Sequence, residues 1–269
     1  MNQVSDFTLA KAVSSAGAFP SISIFNYYRP QFRLDLLEIE TKSFGNNFLL
    51  SLSHRELKNV DILDFIISQR ISAVEILEKI EESELNDLQQ KINLLRSNGV
   101  LVFLKVFTPR IMLEVDGAIL KGSEGAGRSK IDAEPLELMF AKIKNKYQEL
   151  MIIPSGGISS ADQVKYYIDH GAAMVAIGTL FAACKESSVS METKQKIIDS
   201  DSNSLTRFDN GQQGLVFDRV ADDDFNHTRS LMAGIQSATQ GHIFLGRGID
   251  NVKSIASARD IVKALVKNL

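Results

Sequence analysis

Apolar residues along the first 184 positions fall into two alternating kinds of run. One kind is short: residues 72–77, 100–106, 117–120, 150–153 and 173–177 are nearly continuous, 18–25 alternates loosely, and 44–50 is a turn running into a strand. Strands buried on both faces of a parallel sheet have this look. The other kind repeats at helical spacing. Phe7, Ala10 and Val13 share one face, as do Leu85, Leu88, Ile92 and Leu95, and residues 34–41, 57–69 and 136–150 follow the same period. A further short helix is expected over 109–115. Strand and helix patterns alternate in this way only in parallel α/β architecture.

The pattern predicts a (β/α)8 TIM-type barrel over 1–184. Strand patterns begin near residues 18, 46, 72, 100, 117, 150 and 173, one short of the eight that a closed barrel needs. Met1 to Val4 make a poor strand, so the first strand is expected to be missing. Residues 185–240 break the rhythm, being polar and rich in Asp, Ser, Asn and Gln, and are expected to lie as helices and loops over the barrel mouth. Residues 241–269 return to the barrel, with Ser257 capping a last helix.

The densest signal lies in residues 150–186. An apolar run stops at Pro154 and is followed by Ser155, Gly156 and Gly157, a turn with no Cβ to hold a ligand away from its amides. Ser160 and Gln163 have capping-box spacing, and Gly171 sits where a helix ends. A second apolar run then ends at Gly178 and Thr179. Two glycine turns at the C-termini of neighbouring parallel strands point the same way, and in barrels such a pair holds a phosphate.

Composition narrows the field. The 269 residues are 44% hydrophobic and 23% charged, with a net charge of −3 and no basic block, which argues against nucleic acid as a partner. No apolar run approaches the ~18 residues of a membrane span. There is no basic-then-apolar leader, and Cys184 is the lone cysteine, so a cytoplasmic protein without a disulfide framework is expected. The four histidines are scattered without metal-ligand spacing, so no metal site is expected. The partner expected is a small-molecule substrate, and a homodimer is left open.

Three glycines also follow the strand ending at Leu120, in Gly122-Ser123-Glu124-Gly125-Ala126-Gly127-Arg128. This stretch resembles "GxEAGGH" of the nitronate monooxygenase (2-nitropropane dioxygenase-like) family of FMN-dependent barrels, which is related to flavin-dependent enoyl-acyl-carrier-protein reductases. Residues 12–17 resemble the family's "AVSNAGG", 44–48 its "FGVNL", 154–158 its "AAGGI", and 171–187 its "GAdgVxxGTrFxxxxES". Residues 246–249 through 261–262 echo its tail.

The resemblance implies FMN-dependent oxidation of a small organic substrate. It implies FMN phosphate on Ser155, Gly156, Gly157, Gly178 and Thr179, and an asparagine beside the flavin at Asn47. Lys105 matches a lysine facing the flavin pyrimidine, where a cation would stabilise negative charge on the reduced ring. Lys121, Gly122, Gly125, Ala126 and Gly127 would line the ring and ribityl region. The family's catalytic histidine falls at Arg128, and a guanidinium does not take a proton near neutral pH. Arg128 would instead clamp an anionic substrate or developing negative charge. Two other readings stay open: a lyase or aldolase acting on a phosphorylated substrate through a Schiff base on Lys105 or Lys121, and a catalytically idle flavin-binding homologue.

Overall fold

The computed structural model describes residues 4–28, 31–77, 80–127, 130–209, 211–218 and 224–269, without the side chains of 224–228. Helix α1 (Phe7–Ser15) leads into β1 (Ser21–Ser23), then α2 (Leu34–Phe44), β2 (Leu49–Ser53), α3 (Val60–Ser68) and β3 (Ala73–Leu77). Next come α4 (Leu85–Ser97), β4 (Leu101–Val106), β5 (Gly117–Lys121), α5 (Leu136–Lys146), β6 (Met151–Ser155) and α6 (Ala161–Asp169). The six strands lie side by side in chain order, all parallel, and curl into an open partial barrel.

Eight-stranded closure is not formed among the described residues. The expected strand at 173–177 contributes a single parallel bridge, Ala176 to Ser155, beside the Ala173 and Ala176 N–H bonds to Ile152 and Pro154. No described strand continues the ladder on its far side, so pairing lapses there. Residues 107–116 hold no helix either. Leu113 and Val115 are buried while Met112 and Glu114 are exposed, an alternation of period two that favours extended chain over a helix.

Alternation also explains how the sheet divides its two faces. The outward set, which includes Ile22, Leu50, Leu52, Val74, Ile76 and Val102, joins helix residues such as Leu37, Ile66, Ile92 and Phe140 in one large core. Each such side chain is worth roughly 1.5–3 kcal/mol on burial. The inward apolar set is a plug of five, Leu49, Ala73, Phe103, Ile119 and Ile153, with polar residues around it.

After the bridge come α7 (Thr179–Ala182), α8 (Met191–Ile198), β7 (Thr206–Arg207), β8 (Gln213–Val216), α9 (Asp224–Gln236), β9 (His242–Ile243) and α10 (Ala258–Val266). Strands β7, β8 and β9 make a small antiparallel sheet where only helices and loops were expected. Its strands are two to four residues long, too short to show a period in the sequence. The Ser257 hydroxyl caps α10, accepting from Asp260 N–H at 3.1 Å, and α10 packs outside the sheet against α1 and α6. Among the described residues no helix is long and apolar enough to cross a membrane.

Candidate functional site

Strand β6 delivers Ser155 to the C-terminal edge of the sheet, and the chain then turns through Gly156 (φ 109°) and Gly157 (φ 76°). Both angles lie where a side chain is strained, so glycine is required. The Ser160–Gln163 capping box starts α6 directly afterwards, as its spacing predicts. The Ala176–Ser155 bridge brings Gly178 and Thr179 beside this turn. Gly248 sits between the two: a Cβ built on it would lie 3.6 Å from Thr179 Cβ and 3.7 Å from Gly157 O. The Thr179 hydroxyl accepts from Gly246 N–H at 3.1 Å. Among the described residues, no hydrogen bond is donated by the main-chain N–H groups of Gly157, Gly178 and Thr179, while that of Gly156 completes the bridge to Ala176. Three unsatisfied donors on two adjacent half-buried turns suit an anion.

The loop after β5 lies directly over this pair. A Cβ on Gly156 would come within 2.9 Å of Gly125 Cα, and one on Gly157 within 2.8 Å of Glu124 Cβ. Beneath the loop runs the Lys121 side chain, only 7% exposed, whose Cε would strike a Cβ on Gly125 at 2.6 Å. Three groups from the covering segment hold the loop from outside. Gln213 Nε2 donates to Glu124 O at 2.8 Å and Gly125 O at 3.0 Å, Arg247 N–H donates to Glu124 O at 3.0 Å, and the Arg207 guanidinium donates to Ser123 O at 2.8 Å. The Glu124 carboxylate accepts from Leu136 N–H at 3.1 Å, a negative charge at the N-terminus of α5 where the helix dipole favours it.

Lys105 faces inward from β4, two residues beyond the plug residue Phe103. Its amine lies 2.5 Å from Glu75 Oε1, and the Glu75 carboxylate is 4% exposed. Burial pushes that carboxyl upward, but the Lys105 charge and hydrogen bonds from Lys105 and Ser51 outweigh it and hold it below its ordinary range.

The structure thus brings together Ser155, Gly156, Gly157, Gly178, Thr179, Lys121, Gly122, Gly125, Ala126 and Gly127 at one edge of the sheet, with Lys105 just inside it. Asn47 is not among them. It precedes β2, exposed at the N-terminal edge, and accepts from the Ser72 hydroxyl at 3.3 Å. Parallel strands put their two ends on opposite edges, so a residue before β2 stands away from residues after β5 and β6. Arg128 lies outside the described residues. His170 closes α6, its Nδ1 2.7 Å from Tyr166 O, as expected of a structural histidine at a helix C-terminus. Sequence reasoning missed Glu75, Gln213 and Gly248. Glu75 alone left a signal: it is the one charge in the buried run 73–77.

A sequence model described as nitronate monooxygenase matches residues 54–215. None of the curated proteins compared with the chain matches it. Among solved structures, the fold is similar to that of FabK from Thermotoga maritima (TM-score 0.79, 19% identity), covering 99% of this chain and 89% of that one. It is similar to nitroalkane oxidase from Streptomyces ansochromogenes (TM-score 0.74, 18% identity, 99% and 93% covered). It is also similar to the enoyl reductase domain of MlnA from the macrolactin biosynthesis cluster from Bacillus amyloliquefaciens (TM-score 0.65, 11% identity, 99% and 92% covered).

Proposed function

The chain belongs to the nitronate monooxygenase family, and from that premise we propose that it is an oxidoreductase binding FMN at the C-terminal edge of the sheet and acting on a small organic substrate. Membership makes it a flavin-dependent oxidoreductase in general; FMN and the substrate class are the finer reading. The observation that carries it is the set of three acceptor-less N–H groups at Gly157, Gly178 and Thr179, on two adjacent glycine turns, which fit a phosphate tail. The glycines fit as well, because a Cβ on Gly156 would close the gap to Gly125.

Bound FMN would supply the electron transfer. The chain's own residues bind and orient. Residues 155–157 and 178–179 hold the phosphate, the 122–127 loop offers main chain for close approach to a flat ring, and Lys105 supplies a cation on the inner face. Arg128 stands at the position of the family's histidine and binds an anionic substrate group instead of taking a proton. Deprotonation of a nitroalkane carbon by that position is therefore not part of the reading. The Schiff-base alternative needs an amine free to attack, and of its two lysines Lys105 is held by the Glu75 carboxylate at 2.5 Å.

Titrating the purified protein with FMN and following flavin fluorescence tests the proposal. Saturable quenching with FMN bound more tightly than riboflavin is expected. A protein that stays colourless and leaves the fluorescence untouched would end the reading. Flavin bound but never reduced or reoxidised would leave the idle homologue, and an Arg128→His variant that gains nitronate oxidation would show that only the base is lacking.

A further inference from the structure

Glu75 belongs to neither glycine turn nor to the loop above them, yet it is the most deeply placed charge on the inner face. Strict alternation makes the inward positions of β2 to β6 countable. Among them Glu75, Lys105 and Lys121 are the ionisable ones, and Ser51 is paired with Glu75 in the β2–β3 register. The register also fixes direction. Leu77 stands opposite Lys105, and Glu75 lies two residues earlier in β3, opposite Phe103. The two residues are thus offset by about one pleat repeat along the strands, roughly 6.6 Å, and their side chains span that offset to meet at 2.5 Å.

Stability does not demand this pair. A buried ion pair exchanged for apolar side chains of like volume is often neutral or stabilising. A lysine left alone on a buried face, by contrast, sheds its proton or turns to water. We infer that Glu75 is a positioning residue: through the 2.5 Å ion pair it holds Lys105 Nζ below the mouth of the site, so that the inner face meets its ligand with a charge fixed in place. The hydrogen bond to Ser51 fixes the carboxylate in turn. The consequence for a bound flavin rests on the reading above; the statement about Lys105 does not.

The first test needs no flavin. Wild-type, Glu75→Gln and Glu75→Asp proteins are acetylated at about pH 8 with N-hydroxysuccinimidyl acetate, which reacts with neutral amines, and Lys105 is followed by peptide mass spectrometry against exposed Lys253. Losing the carboxylate releases the amine from its ion pair, so Lys105 should react about tenfold faster in Glu75→Gln. Glu75→Asp, with the charge kept on a shorter arm, should react at an intermediate rate. It also carries the test should Glu75→Gln not fold. Wild-type rates in every variant that folds would overturn the inference. The second test reads the midpoint potential of bound FMN. Glu75→Gln should shift it, and the shift should vanish when Lys105→Met is already present. A shift of equal size in both backgrounds would show that Glu75 does not act through Lys105. A wild-type protein that binds no flavin would sink the functional reading and leave the acetylation result standing.

Discussion

The two faces of the one sheet could hardly differ more. Outward, Ile22, Leu50, Leu52, Val74, Ile76 and Val102 pack against helices without a charge among them. Inward, the five-residue plug and its flanking Leu77, Leu101 and Met151 sit among Ser51, Ser53, Glu75, Lys105 and Lys121. The outer face is where apolar area leaves water, so it carries the stability of the fold. The inner face is under-filled with hydrophobe and holds groups that are costly to bury. A face that stabilises the fold so poorly is the face to search for a ligand.

That contrast can be broken at either side. The largest effect is expected outside: Ile76→Ala, at a fully buried position, should cost about 2–5 kcal/mol in denaturant unfolding, while the folded fraction keeps its flavin affinity. An affinity that falls in step with stability would mean the faces are not separable. Next comes Gly156→Ala, where φ 109° and the 2.9 Å approach to Gly125 forbid a side chain. It should cost about 1–3 kcal/mol of strain, and FMN should lose its advantage over riboflavin, because the lost contact is to the phosphate. Equal losses for both flavins would place the phosphate elsewhere.

Ser160→Ala removes the hydroxyl that accepts from Gln163 N–H at 3.3 Å. About 1 kcal/mol of stability should go with it, read as a lower melting temperature. The smallest effect is a slope in acid and concerns Glu75. Its folded pKa lies below the unfolded value, so its contribution is complete above the ordinary glutamate range near about pH 4.3 and is lost as acid protonates it. Wild-type stability should therefore fall with acid more steeply than that of Glu75→Gln, by at most about 1.4 kcal/mol per pH unit. Parallel acid limbs in urea titrations would contradict the carboxylate's shift.

Much of the site could be read before any coordinates. Each glycine-turn residue lies within a few positions of a strand end, a capping residue or a helix start, and those signals are local. The reading failed where partners are distant in sequence. Asn47 was placed with the flavin because its neighbours resemble a family motif, but β2 begins two residues after it, and that register sends it to the opposite edge. Lys105 stands alone in its apolar run, which calls for a partner, and the structure supplies it as Glu75, thirty residues earlier.

The sequence alone determined the alternation of strands and helices from α1 to α6 save at 107–116, the glycine turn at 156–157, and the capping of α6 and α10, because periodicity, positive-φ glycine and capping oxygens act within a turn or two of chain. Only the tertiary structure decided how far the sheet closes, which edge each loop occupies, that a small antiparallel sheet covers the glycine loop, and which carboxylate answers Lys105. Those follow from strand register and packing between segments 30 to 90 residues apart, which no local pattern encodes.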